Sequence, residues 1–260
     1  MKKENQTTVL ALLLIALLGW MLFNPIVHQG DDSTEENNAP DSTIVSKPES
    51  IVRVDTSFSG LLIYYPPTDS LDLRCLIRPK PEEDTDIIFC CAAAYTGTHP
   101  LGHGNIAGDH VSGGKRFRGY SCTANSGAFV YYKKHWKFLY KDYSHELDSA
   151  SLYNGMGFGQ EMIIHEGALR QTERKDSDFN AFRALCELDG QLCVVESSTK
   201  TPFGHFKELL MNAGIAEAIY TDMGDNWNYS WYRISPRDSA IFIHSSFHPA
   251  ATNWLVFYAL

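Results

Sequence analysis

Asp222 closes the apolar run Ala218-Ile219-Tyr220-Thr221 and is followed by Met223-Gly224-Asp225-Asn226-Trp227. A sheet can aim a carboxylate at a strand mouth while the loop builds a pocket around it. Such a group can serve as nucleophile, general base or ligand. The competing use is an Asx turn, in which the carboxylate holds its own loop. Arg183 sits inside a second apolar stretch, Ala181-Phe182-Arg183-Ala184-Leu185. Its planar, permanently charged fork suits phosphate or carboxylate, although a lone strand arginine more often faces solvent. His165-Glu166-Gly167 ends a third apolar run. A His and a Glu there can move protons near neutrality, or simply make a polar turn. Trp227, Tyr229, Trp231 and Tyr232 crowd behind Asp222. They can stack on sugar rings or pack in a core.

A glycine-rich stretch, residues 97–119, carries His99, His103, Asp109 and His110. Its Gly102-His103-Gly104-Asn105-Ile106-Ala107-Gly108 is neither a dinucleotide fingerprint nor a P-loop, since the spacing differs and no Gly-Lys-Ser/Thr follows. The histidine spacing matches no standard zinc site, so no cofactor is expected, with a divalent metal as the alternative. The stretch reads as a loop bordering a pocket, with His103 a candidate substrate contact. No Gly-x-Ser-x-Gly elbow occurs.

The elements that must position these residues read as short strands and a few helices. Residues 61–65, 71–77, 160–165, 216–221, 240–244 and 254–260 have strand patterns. Residues 87–94 form a continuous apolar run and predict a buried central strand. Residues 128–132 and 136–140 predict a hairpin, and Asp189-Gly190 predicts a tight hairpin turn between 182–187 and 191–195. That turn sets Cys186 opposite Cys193, either as free thiols or as a cross-strand disulfide. A short helix is predicted over 147–154. The strongest helix is 201–214, with Thr201 as N-cap, Pro202 at the first helical position and Gly214 beyond the C-terminus. Strand, helix, strand in that order predicts a crossover and a parallel pair. The fold class is α+β: a mixed sheet with a few packed helices in one globular domain.

The chain has 260 residues and a net charge of −9, which argues against nucleic acid as a partner. Lys2 and Lys3 precede an unbroken apolar run over residues 9–23. No small-x-small cleavage pattern follows, so residues 1–27 read as an uncleaved signal anchor with the body exported to the periplasm or beyond; a cleaved signal peptide is the alternative. Residues 28–50 are acidic and polar and read as a disordered linker. Residues 51–260 form the domain.

The run from about 158 to 225 resembles the phosphodiester glycosidase family, the N-acetylglucosamine-1-phosphodiester alpha-N-acetylglucosaminidase-like domains. The likeness is carried by Met162-Ile163-Ile164-His165-Glu166-Gly167, by Phe182-Arg183-Ala184-Leu185 with Asp189-Gly190-Gln191-Leu192, by the helix over 203–214, and by Ala218-Ile219-Tyr220-Thr221-Asp222-Met223-Gly224. Two departures stand out. Asp222-Met223-Gly224-Asp225-Asn226 replaces the family's Asp-Gly-Gly-Gly-Ser, and Ala92-Ala93-Ala94-Tyr95 stands where Asn-Gly-Gly is common. The resemblance implies an exported hydrolase that cleaves the glycosidic bond of sugar-1-phosphodiesters in envelope or extracellular glycans. Arg183 would hold the phosphate, Asp222 would act at the sugar carbon, and Glu166 or His165 would be the second proton-transfer group. Gly224, Asp225, Asn226 and Trp227 would line the substrate. A catalytically inactive glycan- or envelope-binding domain is the alternative.

Overall fold

Four two-residue turns set the strand registers. Gly113-Gly114, Lys133-Lys134, Glu166-Gly167 and Asp189-Gly190 all have both φ angles positive, the twist that a tight hairpin needs. In the computed structural model, residues 51–96, 106–119 and 126–259 are described. The proposed anchor, the acidic linker, His99 and His103 lie outside them. Among the described residues no helix is long and apolar enough to cross a membrane.

In chain order the strands begin with β1 (Arg53–Asp55), β2 (Leu61–Tyr65), β3 (Leu71–Cys75), β4 (Ile87–Ala92), β5 (His110–Ser112) and β6 (Lys115–Phe117). The hairpin β7 (Ser126–Tyr132) and β8 (His135–Tyr140) precedes helix α1 (Ser144–Leu152). Then come β9 (Met156–His165), β10 (Ala168–Leu169), β11 (Phe179–Asn180), β12 (Arg183–Leu188), β13 (Gln191–Ser197) and β14 (Thr201–Pro202). Helix α2 (Phe203–Asn212) leads to β15 (Glu217–Thr221), β16 (Ser230–Tyr232), β17 (Ile241–His244) and β18 (Asn253–Tyr258).

The described residues are mostly β-sheet, with two helices among them. The larger sheet runs β1-β2-β13-β12-β15-β9-β5-β6, with β7, β8 and β10 branching from β9. The smaller runs β17-β16-β4-β18-β3. One apolar cluster joins them, with Leu73, Phe89, Leu255 and Phe257 meeting Phe129, Phe158, Leu185, Val194 and Ile219. The other face of the larger sheet packs under α2 through Ala184, Val195, Ala218 and Tyr220 against Phe203, Phe206 and Leu210. All six residues of β4 are buried because Phe89 and Cys91 enter the joint cluster while Ile87, Cys90 and Ala92 enter one on the opposite face. The apolar run at 87–92 is therefore the central strand expected.

Two expectations need correction. The strand–helix–strand unit does not make a parallel pair. Strand β12 lies between β13 and β15 and is antiparallel to both, and every described strand pair is antiparallel. The tight Asp189-Gly190 turn places β13 on one edge of β12, so the chain leaving α2 finds only the other edge open. The helix cap is also shifted. Thr201 pairs with Asn180 in a short ladder, and Pro202 occupies the N-cap position. Two free donors of the first turn are taken by backbone: Phe203 N–H donates to Asp178 O at 2.8 Å and Gly204 N–H to Asp176 O at 3.0 Å. At the other end Gly214 adopts φ +81, as its position past the helix suggested. Cys186 and Cys193 are register partners and both are free thiols.

Gly127 shows how closely β7 is held between β8 and β9. A Cβ there would overlap the carbonyl of Leu139 and the Cε of Met162. Gly127→Ala is expected to destabilise the fold by about 1–3 kcal/mol, although alanine is otherwise at least as good as glycine in a strand. A urea-unfolding midpoint equal to or above that of the unaltered protein would contradict this packing.

Candidate active site

The two sheets meet at the chain that leaves β4. Beyond Ala92 this chain turns toward the end of β15: Asp222 N–H donates to Ala93 O at 2.7 Å. Asn253 clamps the next residue from β18, accepting from Ala94 N–H at 2.7 Å and donating to Ala94 O at 3.0 Å. The strand mouth carrying Asp222 is thus fixed by both sheets.

Asp222 is 8% exposed, and burial pushes its carboxyl up to about 6. The backbone N–H of Gly224, the charges of Arg183 and Arg174, and the N–H of Thr96 pull the other way without cancelling that effect. Gly224 N–H donates to Asp222 Oδ1 at 3.1 Å, so the Asx turn exists as well. The two readings of this residue are compatible, since one oxygen holds the loop and the carboxyl as a whole remains hard to ionise.

Arg183 occupies a different place from the one expected. Its side chain has no solvent exposure. Nε donates to Thr221 Oγ1 at 3.2 Å, and Nη2 donates to the carbonyls of Asp222 at 3.1 Å and Asn228 at 3.2 Å. Nη1 stands 3.8 Å from Glu196 Oε2, and among the described residues neither atom has a hydrogen bond. Glu196 Oε1 is bonded to His244 Nε2 at 2.5 Å. Strand alternation explains the placement. Leu185 points into the cluster between the sheets and Ala184 toward α2, so Arg183 points between the sheets. The guanidinium braces the Asp222 loop from beneath and does not reach an outside anion.

A second cation near Asp222 is Arg174, on the face of the larger sheet that carries α2. It lies in the segment before β11, where Glu161 Oε1 accepts from Glu173 N–H at 2.6 Å and Arg174 N–H at 3.1 Å. The guanidinium sits 4.7 Å from the ring centre of Tyr220 and donates through Nη2 to the Tyr95 hydroxyl at 2.6 Å. Its Nε is buried with no hydrogen-bond partner among the described residues. Arg174 is only partly buried and close enough to Asp222 to act on its ionisation. Glu161 is 6% exposed and Tyr220 is 1% exposed, so the wall around this carboxylate is largely dry.

The remaining candidates divide into two groups. Gly224, Asp225, Asn226 and Trp227 form the loop beside Asp222. Trp227 N–H donates to Gly224 O at 2.8 Å, Asp225 and Asn226 are exposed, and Trp227 stacks on His248 at 4.3 Å. His165 and Glu166 lie elsewhere. His165 Nδ1 is 2.8 Å from Glu217 Oε2, and Glu166 N–H donates to Glu217 Oε1 at 2.9 Å. Glu217 begins β15 and Asp222 follows its end, so ~17 Å of strand separates them at ~3.4 Å per residue. Glu166 is exposed at a hairpin tip and is not brought to Asp222. Of the aromatics, Tyr229 and Trp231 belong to the core and Tyr232 packs on Tyr64. Asp109 is engaged by Arg116 Nη2 at 2.7 Å and Gly119 N–H at 3.0 Å. No group of three or more potential metal ligands occurs among the described residues.

Arg174 carried no sequence signal, because Gln171-Thr172-Glu173-Arg174-Lys175-Asp176 reads as an ordinary polar loop. Glu161 and Glu196 did carry one: each interrupts an apolar strand at a position that alternation turns inward. No family model matches this chain, and no curated protein matches it.

Proposed function

We propose that this chain is an exported, membrane-anchored hydrolase that cleaves the glycosidic bond of sugar-1-phosphodiesters, with Asp222 and Arg174 as its working pair. The observation that carries the reading is Asp222: a carboxyl nine-tenths buried at a strand mouth, raised to about 6, with the partly exposed Arg174 close enough to act on its charge. Perturbed carboxyls of this kind concentrate at sites of chemistry. Support for export comes from the lysines and apolar run at the N-terminus, and support for the substrate class from the motif resemblance.

In this scheme Arg174 holds the phosphodiester and stabilises the negative charge that grows on it as the bond to the sugar breaks. Cleavage at the sugar carbon releases a phosphomonoester, which leaves as a stabilised anion and needs little help from an acid. Asp222, ionised above pH 6, faces the electron-poor sugar carbon and either attacks it or takes a proton from the attacking water. Glu166 has no part in the scheme, being at the far end of β15. Arg183 acts by holding the Asp222 and Asn228 carbonyls.

Free sugar released from UDP-N-acetylglucosamine or methyl N-acetylglucosamine-1-phosphate is the direct readout. Activity is expected to rise with pH through about 6 as Asp222 ionises. Arg174→Ala is expected to lower kcat/KM by roughly 10²–10³-fold, with a folded state retained and a modestly lower unfolding midpoint from the lost Tyr95 bond and aromatic contact. Binding of these compounds without release of sugar would favour a non-catalytic glycan-binding domain. Activity in Arg174→Ala equal to that of the unaltered protein would remove Arg174 from the site.

A further inference from the structure

A concavity of about 430 Å³ opens at the start of β9. It lies where the β7–β8 turn, the end of α1 and the chain entering β3 converge. Met156, the first residue of β9, pairs with Tyr131 of the cleft, while Glu161, five residues on, belongs to the Asp222 site. The two places are therefore ~17 Å apart along one strand.

The lining has the chemistry of a polyol site. Asp69, Asp72, Lys133, Lys134, Asn154 and Tyr258 surround it. The volume is that of a small-ligand pocket and accommodates one or two sugar rings. Several of these groups have their geometry fixed by other bonds. Tyr131 donates its hydroxyl to Asp69 O at 2.7 Å, Tyr258 N–H donates to Ser70 O at 3.0 Å, and Leu73 N–H donates to Asp72 Oδ1 at 2.8 Å. Lys133 lies 3.4 Å from the ring centre of Tyr153, which holds its ammonium over an aromatic face. Lys134 has no ion pair among those of the described residues.

The balance of charge selects the ligand. Two aspartates and two lysines line the cleft, so a polyanion would meet Asp69 and Asp72, and a polycation would meet Lys134. A flat apolar ligand would strip water from all four without replacing their hydrogen bonds. A neutral saccharide avoids each penalty, since its hydroxyls donate to carboxylates and accept from ammoniums. We infer that this cleft is a non-catalytic binding site for neutral saccharide units, separate from the Asp222 site.

The test is calorimetric titration of the full-length protein with maltotriose, cellotriose and chitotriose, with inorganic phosphate as the charged comparison. At least one trisaccharide is expected to bind. Ser70→Trp, which fills the cleft from an exposed position, should abolish that binding, and Asp222→Asn should leave it intact. Lys134→Glu, at an exposed turn, should weaken it about tenfold, the equivalent of one good hydrogen bond, and carries the test if Ser70→Trp fails to fold. The inference is overturned if none of the three sugars binds, if phosphate binds and competes, or if sugar binding survives both cleft variants. Binding lost in Asp222→Asn but retained in Ser70→Trp would place the sugar at the strand mouth, which ends this proposal and leaves the hydrolase reading standing.

Discussion

Asp222→Asn is expected to make the protein more stable at neutral pH while removing its activity. Burial holds the Asp222 carboxyl near 6 in the folded chain against 3.8 for the free side chain. A raised carboxyl favours the neutral form on folding. Below about pH 4 it is protonated in both states and costs nothing. As pH rises from 4 to 6 the unfolded chain ionises first, and stability is lost. Above 6 the loss is complete, at ~3 kcal/mol for a shift of about two units. Asparagine keeps an oxygen for the Gly224 N–H and carries no charge to desolvate. Asp222→Asn should therefore gain up to ~3 kcal/mol at pH 7.5, or several degrees in Tm for a domain of this size, and nothing at pH 4. Its turnover should fall by roughly 10²–10⁴-fold, the range for loss of a positioned proton-transfer group. Thermal melts at both pH values check the first part and sugar release the second. A less stable Asp222→Asn at pH 7.5 would mean that the carboxylate serves the loop alone.

Arg183→Met is expected to be the most damaging single change to the fold. The guanidinium is fully buried and supplies hydrogen bonds to the Thr221 hydroxyl and to the carbonyls of Asp222 and Asn228. Methionine fills a similar volume but leaves these acceptors unpaired and leaves Glu196, 4% exposed, with only His244. Breaking one side of a buried pair costs about 3–5 kcal/mol, a large part of an ordinary domain's stability. Urea unfolding should show a sharply lower midpoint or no folded baseline. Replacing the partner as well, Arg183→Met with Glu196→Met, should recover part of the loss, because no unpaired carboxylate remains. If Arg183 were a surface phosphate clamp, Arg183→Met would lose activity and keep its midpoint. That outcome would refute the placement described here.

The hairpins were legible because their cause is local. Asp189-Gly190 puts an αL-tolerant pair between two apolar runs, and such a pair favours a tight hairpin turn. The burial of β4 was legible for a similar reason, since six apolar residues in succession have no face left for water. The parallel pair was misjudged because chain order says which strands are consecutive and says nothing of which edge is free. Arg183 was misjudged because the type and neighbours of a residue do not reveal which side of a sheet is covered. With one sheet, its side chain would face water. A second sheet over that face turns the same side chain into an interior brace.

By itself, then, the sequence determined the local elements, the location of Asp222 at a strand mouth, and the aromatic loop that follows it. These depend on contacts between residues close in the chain. The tertiary structure decided which charges share a site. It brought Arg174 to Asp222 from 48 positions away, sank Arg183 and Glu196 between two sheets, and carried His165 and Glu166 to the far end of β15. Those outcomes depend on the stacking of sheets and the packing of α2, where strand pairing and burial act over long separations in sequence that no local pattern records.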